Sequence, residues 1–393
     1  MILPIIMGTI AGTITGLIPG IHTNLVAILL ISISPTLLKI TTPLSLVIFI
    51  TSMAITHTFL DAIPSIFLGA PDSDQILSVL PGHKLLLEGR GYEAIKLTTL
   101  GSFLGLITTL LLFPFFIFIL RFYDLIKNSI PYILIVCSFF LIIKDKSKFP
   151  ALFIFLLSGS LGLAVFKLTL SQPLLPMLSG LFGISTLVIS IQNKTTIPKQ
   201  KNTPINLPKK QIAKSISLGT LASTITGLLP GIGASQAAVI ASSLSKKWSK
   251  ESFLVLIGSI NTVVMVISIA AYYVIQKARN GAIVAASKII PELTLSNLIT
   301  ISIAIVITAI LASLIALIIA KTFSKQITKL NYQLLCISII FLVTTIVFIF
   351  SGFLGLLVLI TSTFIGILPP LLNTNKNHLM GCLILPTILY LLL

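Results

Sequence analysis

Charge is scarce in this chain. Only 9% of its 393 residues are charged, whereas a soluble domain carries roughly 25%. Acids are scarcest, with 9 Asp and Glu against 26 Lys and Arg. So little charge cannot solvate a globular surface of this size. The three cysteines, Cys137, Cys336 and Cys382, all fall in apolar segments without metal-ligand spacing, which excludes a cysteine metal site. No Walker sequence is present, which argues against ATP hydrolysis by the chain itself. No basic n-region precedes the first apolar run and no small-residue cleavage site follows it, so that run is expected in the mature protein. Short alternating segments are missing too, which excludes a β-barrel.

Apolar residues make up 56% of the chain, and mean hydropathy is +1.12. Runs of about 18 or more apolar residues recur from end to end, each long enough to cross about 30 Å of hydrocarbon as a helix. The net charge of +17 comes from basic residues between these runs. That placement reads as cytoplasmic loops facing anionic headgroups. No basic-aromatic motif accompanies it, so nucleic acid is not the expected partner; the lipid bilayer is.

The chain repeats itself. Residues 8–21 read GTIAGTITGLIPGI and residues 219–232 read GTLASTITGLLPGI, with 11 of 14 positions identical at an offset of 211. Two related halves are therefore expected: an N-terminal transmembrane repeat over 1–192, a basic cytoplasmic linker over 193–214 and a C-terminal repeat over 215–393. The linker holds six lysines, three prolines and no acid. The apolar run from Ser215 to Leu244 begins and ends beside basic residues and is long for one crossing and short for two. A re-entrant hairpin turning at Pro230-Gly231 fits both facts. Charge alternation then places crossings at 44–69, 97–120, 129–143, 149–166 and 173–192, and in the second half at 252–276, 293–320, 331–350, 351–371 and 379–393. The expected fold class is an all-α polytopic membrane protein. It consists of two inverted-topology repeats, each with a re-entrant or broken helical hairpin plus about five transmembrane helices. Counting each hairpin arm as a crossing is the alternative.

Both copies of the repeat break a helix with proline and glycine. In lipid such a break frees backbone groups that need partners, and it is tolerated where protein or a wet cavity supplies them. Freed N–H groups hold anions and freed C=O groups hold cations. Gly16, Pro19 and Gly20 form the first break, followed by His22, Thr23 and Asn24. Gly227, Pro230, Gly231 and Gly233 form the second, followed by Ser235 and Gln236. Polar residues after each break read as a substrate or ion site. The bland alternative is a kink packed with small residues; the duplication favours the site.

Three stretches carry a family resemblance: GTITGLIPGIHTN, GLLPGIGASQAAVIA and, between them, IFLGAPDSDQILSVLPGHKLLLEGRGYEAIKLTTLGSFLG. The chain resembles the large permease subunit of the tripartite tricarboxylate transporter family (TctA type), as a compact, divergent member. It departs from the family pattern at Gly69-Ala70-Pro71-Asp72, at Pro81 and at His83. The resemblance implies a small membrane subunit and an extracytoplasmic solute-binding protein as partners.

Asp61 lies inside an apolar run with His57 four residues earlier, on the same helix face. Charge at membrane depth reads as functional by default; the alternatives are an interfacial position or a structural pair with His57. Asn261-Thr262 stands as a counterpart in the second half, or as a helix–helix hydrogen bond. Lys167 reads as snorkelling from a helix end, and the charges from Asp72 to Lys96 as a solvated inner loop or surface helix.

The leading reading is a multi-pass permease of the cell membrane, not an enzyme. It would couple Na+ or H+ to the movement of a small anionic substrate such as a carboxylate, with no other cofactor and no metal. A transporter of an unrelated small solute is the near alternative. From other classes come an intramembrane aspartyl protease using Asp61 with Asp72 or Asp74, and a scaffold. The protease needs two facing carboxylates, and the scaffold leaves the paired breaks unexplained.

Overall fold

The computed structural model describes residues 1–18, 34–68, 79–120, 127–170, 172–192, 197–227, 234–244, 248–276, 278, 280–327 and 331–393. Every regular element among them is helical. In the first half these are α1 (Ile2–Leu17), α2 (Pro43–Leu60), α3 (Val79–Leu87), α4 (Gly91–Leu111), α5 (Phe113–Leu120), α6 (Ile130–Lys144), α7 (Lys148–Lys167) and α8 (Leu174–Gln192). In the second they are α9 (Lys209–Gly227), α10 (Ala234–Ser243), α11 (Lys250–Ile275), α12 (Gly281–Ile289), α13 (Leu295–Gln326), α14 (Tyr332–Leu371) and α15 (Gly381–Leu392). Seven segments among the described residues are long and apolar enough to cross a membrane: α2 with its continuation to Leu68, α4, α7, α8, α11, α13 and α14.

Local chemistry sets several boundaries. Thr42 caps α2, accepting from Ser45 N, with Pro43 in the first turn. Ser249 and Ser252 form a reciprocal capping box at the start of α11. Asn331 accepts from Gln333 N and Leu334 N at the start of α14. α14 runs 40 residues but turns at Gly352, whose φ of 62° favours glycine. The turn divides it into two arms within the stretch where two crossings, 331–350 and 351–371, were expected.

Other boundaries differ from the sequence reading. The crossing expected over 97–120 starts earlier, at Gly91, and is interrupted at Leu112. Glu93 and Lys96 are therefore helical rather than in the loop, because an ion pair from Arg90 and the linker backbone satisfy them there. α9 begins at Lys209, inside the expected linker. Lys167 ends α7 and is exposed, as a snorkelling residue is.

α2 and α11 are almost wholly buried, while α7, α13 and α14 expose much of their apolar surface. Phe149 is 87% exposed and Phe341 74%; rings so placed suit a lipid face. Close backbone packing joins α4 to α11. A Cβ on Gly258 would lie 2.1 Å from Thr98 O, and one on Gly101 2.1 Å from Val255 O. Ser102 Oγ donates to Gly258 O at 2.9 Å. Arg90 pairs with Glu251 at the starts of both helices, so the two run in the same direction.

A second pattern occurs twice. Gly8 faces Phe49 O and Ser52 where α1 lies on α2; Gly219 faces Leu256 O and Ser259 where α9 lies on α11. One turn on, Gly12 faces Met53 O, and Ser223 Oγ lies 3.4 Å from its acceptor Ile260 O. The repeated residues thus make repeated contacts. α9 also packs against α10, whose far end reaches α11 through the hydrogen bond from Trp248 Nε1 to Ser242 O.

At Gly258 a side chain would meet backbone, which cannot rotate away. Gly258→Val is expected to cost about 1–3 kcal/mol or more and to lower the thermal midpoint of the purified protein by several degrees. Gly352→Ala meets nothing within 4 Å and strains only φ, so a smaller drop is expected. Equal midpoints for Gly258→Val and wild type would disprove the close helix contact.

Candidate functional site

The polar centre lies where α1, α2 and α11 meet. Asn261 Nδ2 donates to Asp61 Oδ2 at 2.8 Å and to Thr58 O at 3.2 Å. Thr58 Oγ1 and Thr262 Oγ1 are 3.1 Å apart. One turn back along α2, His57 Nδ1 lies 3.2 Å from Thr15 Oγ1 of α1. Gly16 presses α1 onto this level: its Cβ would stand 3.0 Å from Leu60 Cβ and 3.2 Å from His57 O. Asp61 is 2% exposed and Asn261 4%. Gly16 of the first break, the His57–Asp61 pair and Asn261, all picked out in the sequence, therefore lie at one level. Thr15 and Thr58 were missed; as single threonines in apolar runs they carry no pattern of their own.

The local backbone explains why Asp61 sits here. It ends α2 as the C-cap residue, and its own carbonyl accepts from Ser65 Oγ. The chain then continues as a π-helical turn over Pro64–Leu68. Such wide turns are rare and frequent at functional sites. α1 stops at Leu17, with Ile18 extended. α9 is described as far as Gly227, four residues beyond the contact of Ser223 with Ile260. α1 thus ends, and the described part of α9 reaches, within about a turn or so of the Asp61–Asn261 level, at ~1.5 Å rise per residue. Pro19, Gly20, His22, Thr23, Asn24, Pro230, Gly231 and Gly233 lie outside the described residues, as do the side chains of Ser235 and Gln236, and Asp72 and Asp74.

A buried carboxylate, an amide and threonine oxygens form an oxygen-rich set, suited to a hard cation or a proton rather than to a soft metal. Among the described residues no group of three or more His, Cys, Asp or Glu could hold a metal ion.

A second polar cluster was not read from the sequence. Asp145, between α6 and α7, binds the turn before α15. Asp145 Oδ2 accepts from Asn375 Nδ2 and meets His378 Nε2, each at 2.8 Å, while Ser147 N donates to Oδ1 at 3.0 Å. Burial opposes ionisation of Asp145, but the Ser147 amide, His378 and Asn375 outweigh it and hold the carboxyl below the usual carboxylate range. Next to His378, Lys376 is buried and donates to Thr186 Oγ1 of α8 at 2.7 Å. His83 of α3 lies 3.2 Å from Ile66 O and feels the Lys376 charge. In the sequence Asp145 is masked by Lys144, Lys146 and Lys148, which read as a topology signal.

A third network ties the halves to the linker. Arg90 bonds Glu93 through two nitrogens and also pairs with Glu251, and Lys250 pairs with Glu88. Gln200 of the linker accepts from Gly91 N and donates to Leu86 O, and Thr203 donates to Glu93. Exposed members of such a network add little stability singly, but the nearly buried Glu93 fixes the linker across the start of α4.

No solved structure matches the chain. An uncharacterized protein of Methanocaldococcus jannaschii is 34% identical over 361 residues, covering 88% of each chain. Residues 2–381 match the tripartite tricarboxylate transporter TctA family. With packed apolar helices, a buried carboxylate between them and a match over nearly its whole length, the chain belongs to the tripartite tricarboxylate transporter TctA family.

Proposed function

We propose that this chain is the permease of a secondary transporter in the cell membrane, and that it moves small organic anions, with carboxylates foremost, together with Na+ or H+. The observation that carries the reading is the buried bond between Asp61 and Asn261, at the level where α1 stops. α1 and α9 each lead into a Pro-Gly break with polar residues after it. Asp61, with His57 and Asn261 beside it, holds the coupling cation. The break segments Gly16–Asn24 and Gly227–Gln236 supply backbone groups to cation and substrate.

The two halves act as inverted repeats, each with a broken helical hairpin. The repeated contacts of α1 on α2 and α9 on α11 support this, as does the opposite direction of α2 and α11. The continuation of α2 packs Ile66 against Gly82 of α3, and Glu88, just past α3, pairs with Lys250 at the start of α11. The end of α2 and the start of α11 thus share one side. The basic linker faces the cytoplasm. A small membrane subunit and an extracytoplasmic solute-binding protein complete the transporter, as the family's tripartite name implies.

Orientation is tested by single cysteines. One at Asn202 is expected to react with a membrane-impermeant thiol reagent only from the cytoplasmic side, and one at Lys39 only from outside. Labelling of both from the same side would rule out the inverted arrangement.

Coupling is tested at Asp61. Asp61→Asn keeps a polar side chain of the same shape beside Asn261 but removes the charge. It is expected to insert and fold, and to lose at least tenfold in cation-driven uptake of labelled carboxylates. Wild-type uptake by that variant would return Asp61 to a purely structural role.

A further inference from the structure

Lys376 is the least compensated charge in the described protein. Burying an ammonium is costly unless anions or several acceptors surround it. Yet Lys376 is 9% exposed, and among the described residues its one hydrogen-bond partner is the Thr186 hydroxyl at 2.7 Å. An ammonium offers three donors. The nearest carboxylate in the cluster, Asp145, is committed elsewhere: Asn375 and His378 occupy Oδ2, and Ser147 N occupies Oδ1. The one titratable group that feels the Lys376 charge among those described, His83, is a second basic group rather than a counter-ion.

The surroundings bury this charge among helices rather than at a lipid surface. Thr186 follows a π-helical segment, Ser179–Ile184, and His83 is bound to the carbonyl of Ile66 in the other one, Pro64–Leu68. The turn that carries Lys376, Lys376–Met380, packs against α10, the helix that follows the second Pro-Gly break. Lys376 therefore sits between the segment that continues from Asp61 and the helix that emerges from the duplicated motif. Its side is that of Asp145 and its flanking lysines, the side of the basic linker.

We infer that Lys376, with the Thr186 hydroxyl beside it, is an anion site that receives one carboxylate group of the transported substrate on the linker side of the membrane. This rests on the transport reading above and adds to it the side chain that recognises the anion. A carboxylate there would take an ammonium donor and neutralise the buried charge. Thr186 would position the ammonium. The Asp145 bonds to Asn375 and His378 would hold the turn in place from behind.

The test is a set of thermal-shift titrations of the purified full chain with citrate, succinate and sulfate as probes. Citrate or succinate is expected to stabilise the wild type. Lys376→Gln is expected to weaken that binding at least tenfold, Lys376→Arg to retain most of it, and Thr186→Val to weaken it by a smaller factor. Without ligand, Lys376→Gln is expected to melt no lower than wild type, because a buried charge held for binding contributes nothing to the fold. Unchanged carboxylate affinity in Lys376→Gln would overturn the site while leaving the transport reading intact. If that variant fails to fold, the structural role wins unless Thr186→Val weakens binding and Lys376→Arg retains it, as stated. Stabilisation of the wild type by sulfate alone would overturn the carboxylate assignment. No stabilisation by any probe would overturn both the site and the carboxylate reading.

Discussion

In hydrocarbon a backbone N–H or C=O has no water to turn to, so each must find a partner within the protein. That constraint governs the whole chain. It makes every regular element among the described residues a helix. It also decides where a helix can stop. α1 stops at Leu17, and its end lies against α2, one of the two most buried helices. A break facing lipid would leave carbonyls bare; a break against this core can share polar partners with Asp61, Asn261 and the threonines around them. The placement of the interruptions thus follows from the same physics that forbids them elsewhere.

The core has to bring backbones close to achieve this, and small residues do it. Thr98 and Gly258, Gly101 and Val255, and Gly8 and Phe49 meet at distances that exclude a further carbon. Close approach in turn lets short side chains reach across: Ser102 to Gly258 O, Ser215 to Ser252 O, Thr58 to Thr262. Membrane helices gain little from the hydrophobic effect against lipid, so such packing and short hydrogen bonds supply the association. The periphery is the converse. α7, α13 and α14 carry large exposed apolar side chains and make fewer polar contacts with the centre.

Much of this was legible in the sequence, for reasons that can be named. Apolar runs set by bilayer thickness mark the spanning helices. Duplication marks α1 and α9, because equal sequences kept equal contacts. Asp61, His57 and Asn261 stand out because polar residues are rare in such runs. Pairings set only by tertiary structure were not legible. Nothing in TSMAITHTFLD tells that Thr58 meets Thr262, and the π-helical turns after Asp61 and before Thr186 have no sequence signature. The start of α4 was placed too late because Glu93 and Lys96 look like loop residues until the linker is seen folded over them. Asp145 was hidden by lysines that carry a stronger and different signal.

Asp61 and Lys376 bear opposite charge, and in the proposed transport that difference matters for moving an anion through a low-dielectric interior. A lone carboxylate there pays a large desolvation cost, and so does a lone cation. A carrier that takes both reduces the cost, because each ion neutralises the other's field. Asp61 lies at the level where α1 stops, with oxygen ligands around it; Lys376 lies towards the linker, with a hydroxyl beside it. A cation bound at Asp61 neutralises the carboxylate of the protein, and an anion bound at Lys376 neutralises the ammonium. Neither polar centre is then left as a bare charge while the helices around it shift. The chemistry of the two sites is complementary in that sense, and it gives a reason for a chain with so few charges to keep Asp61 and Lys376 buried.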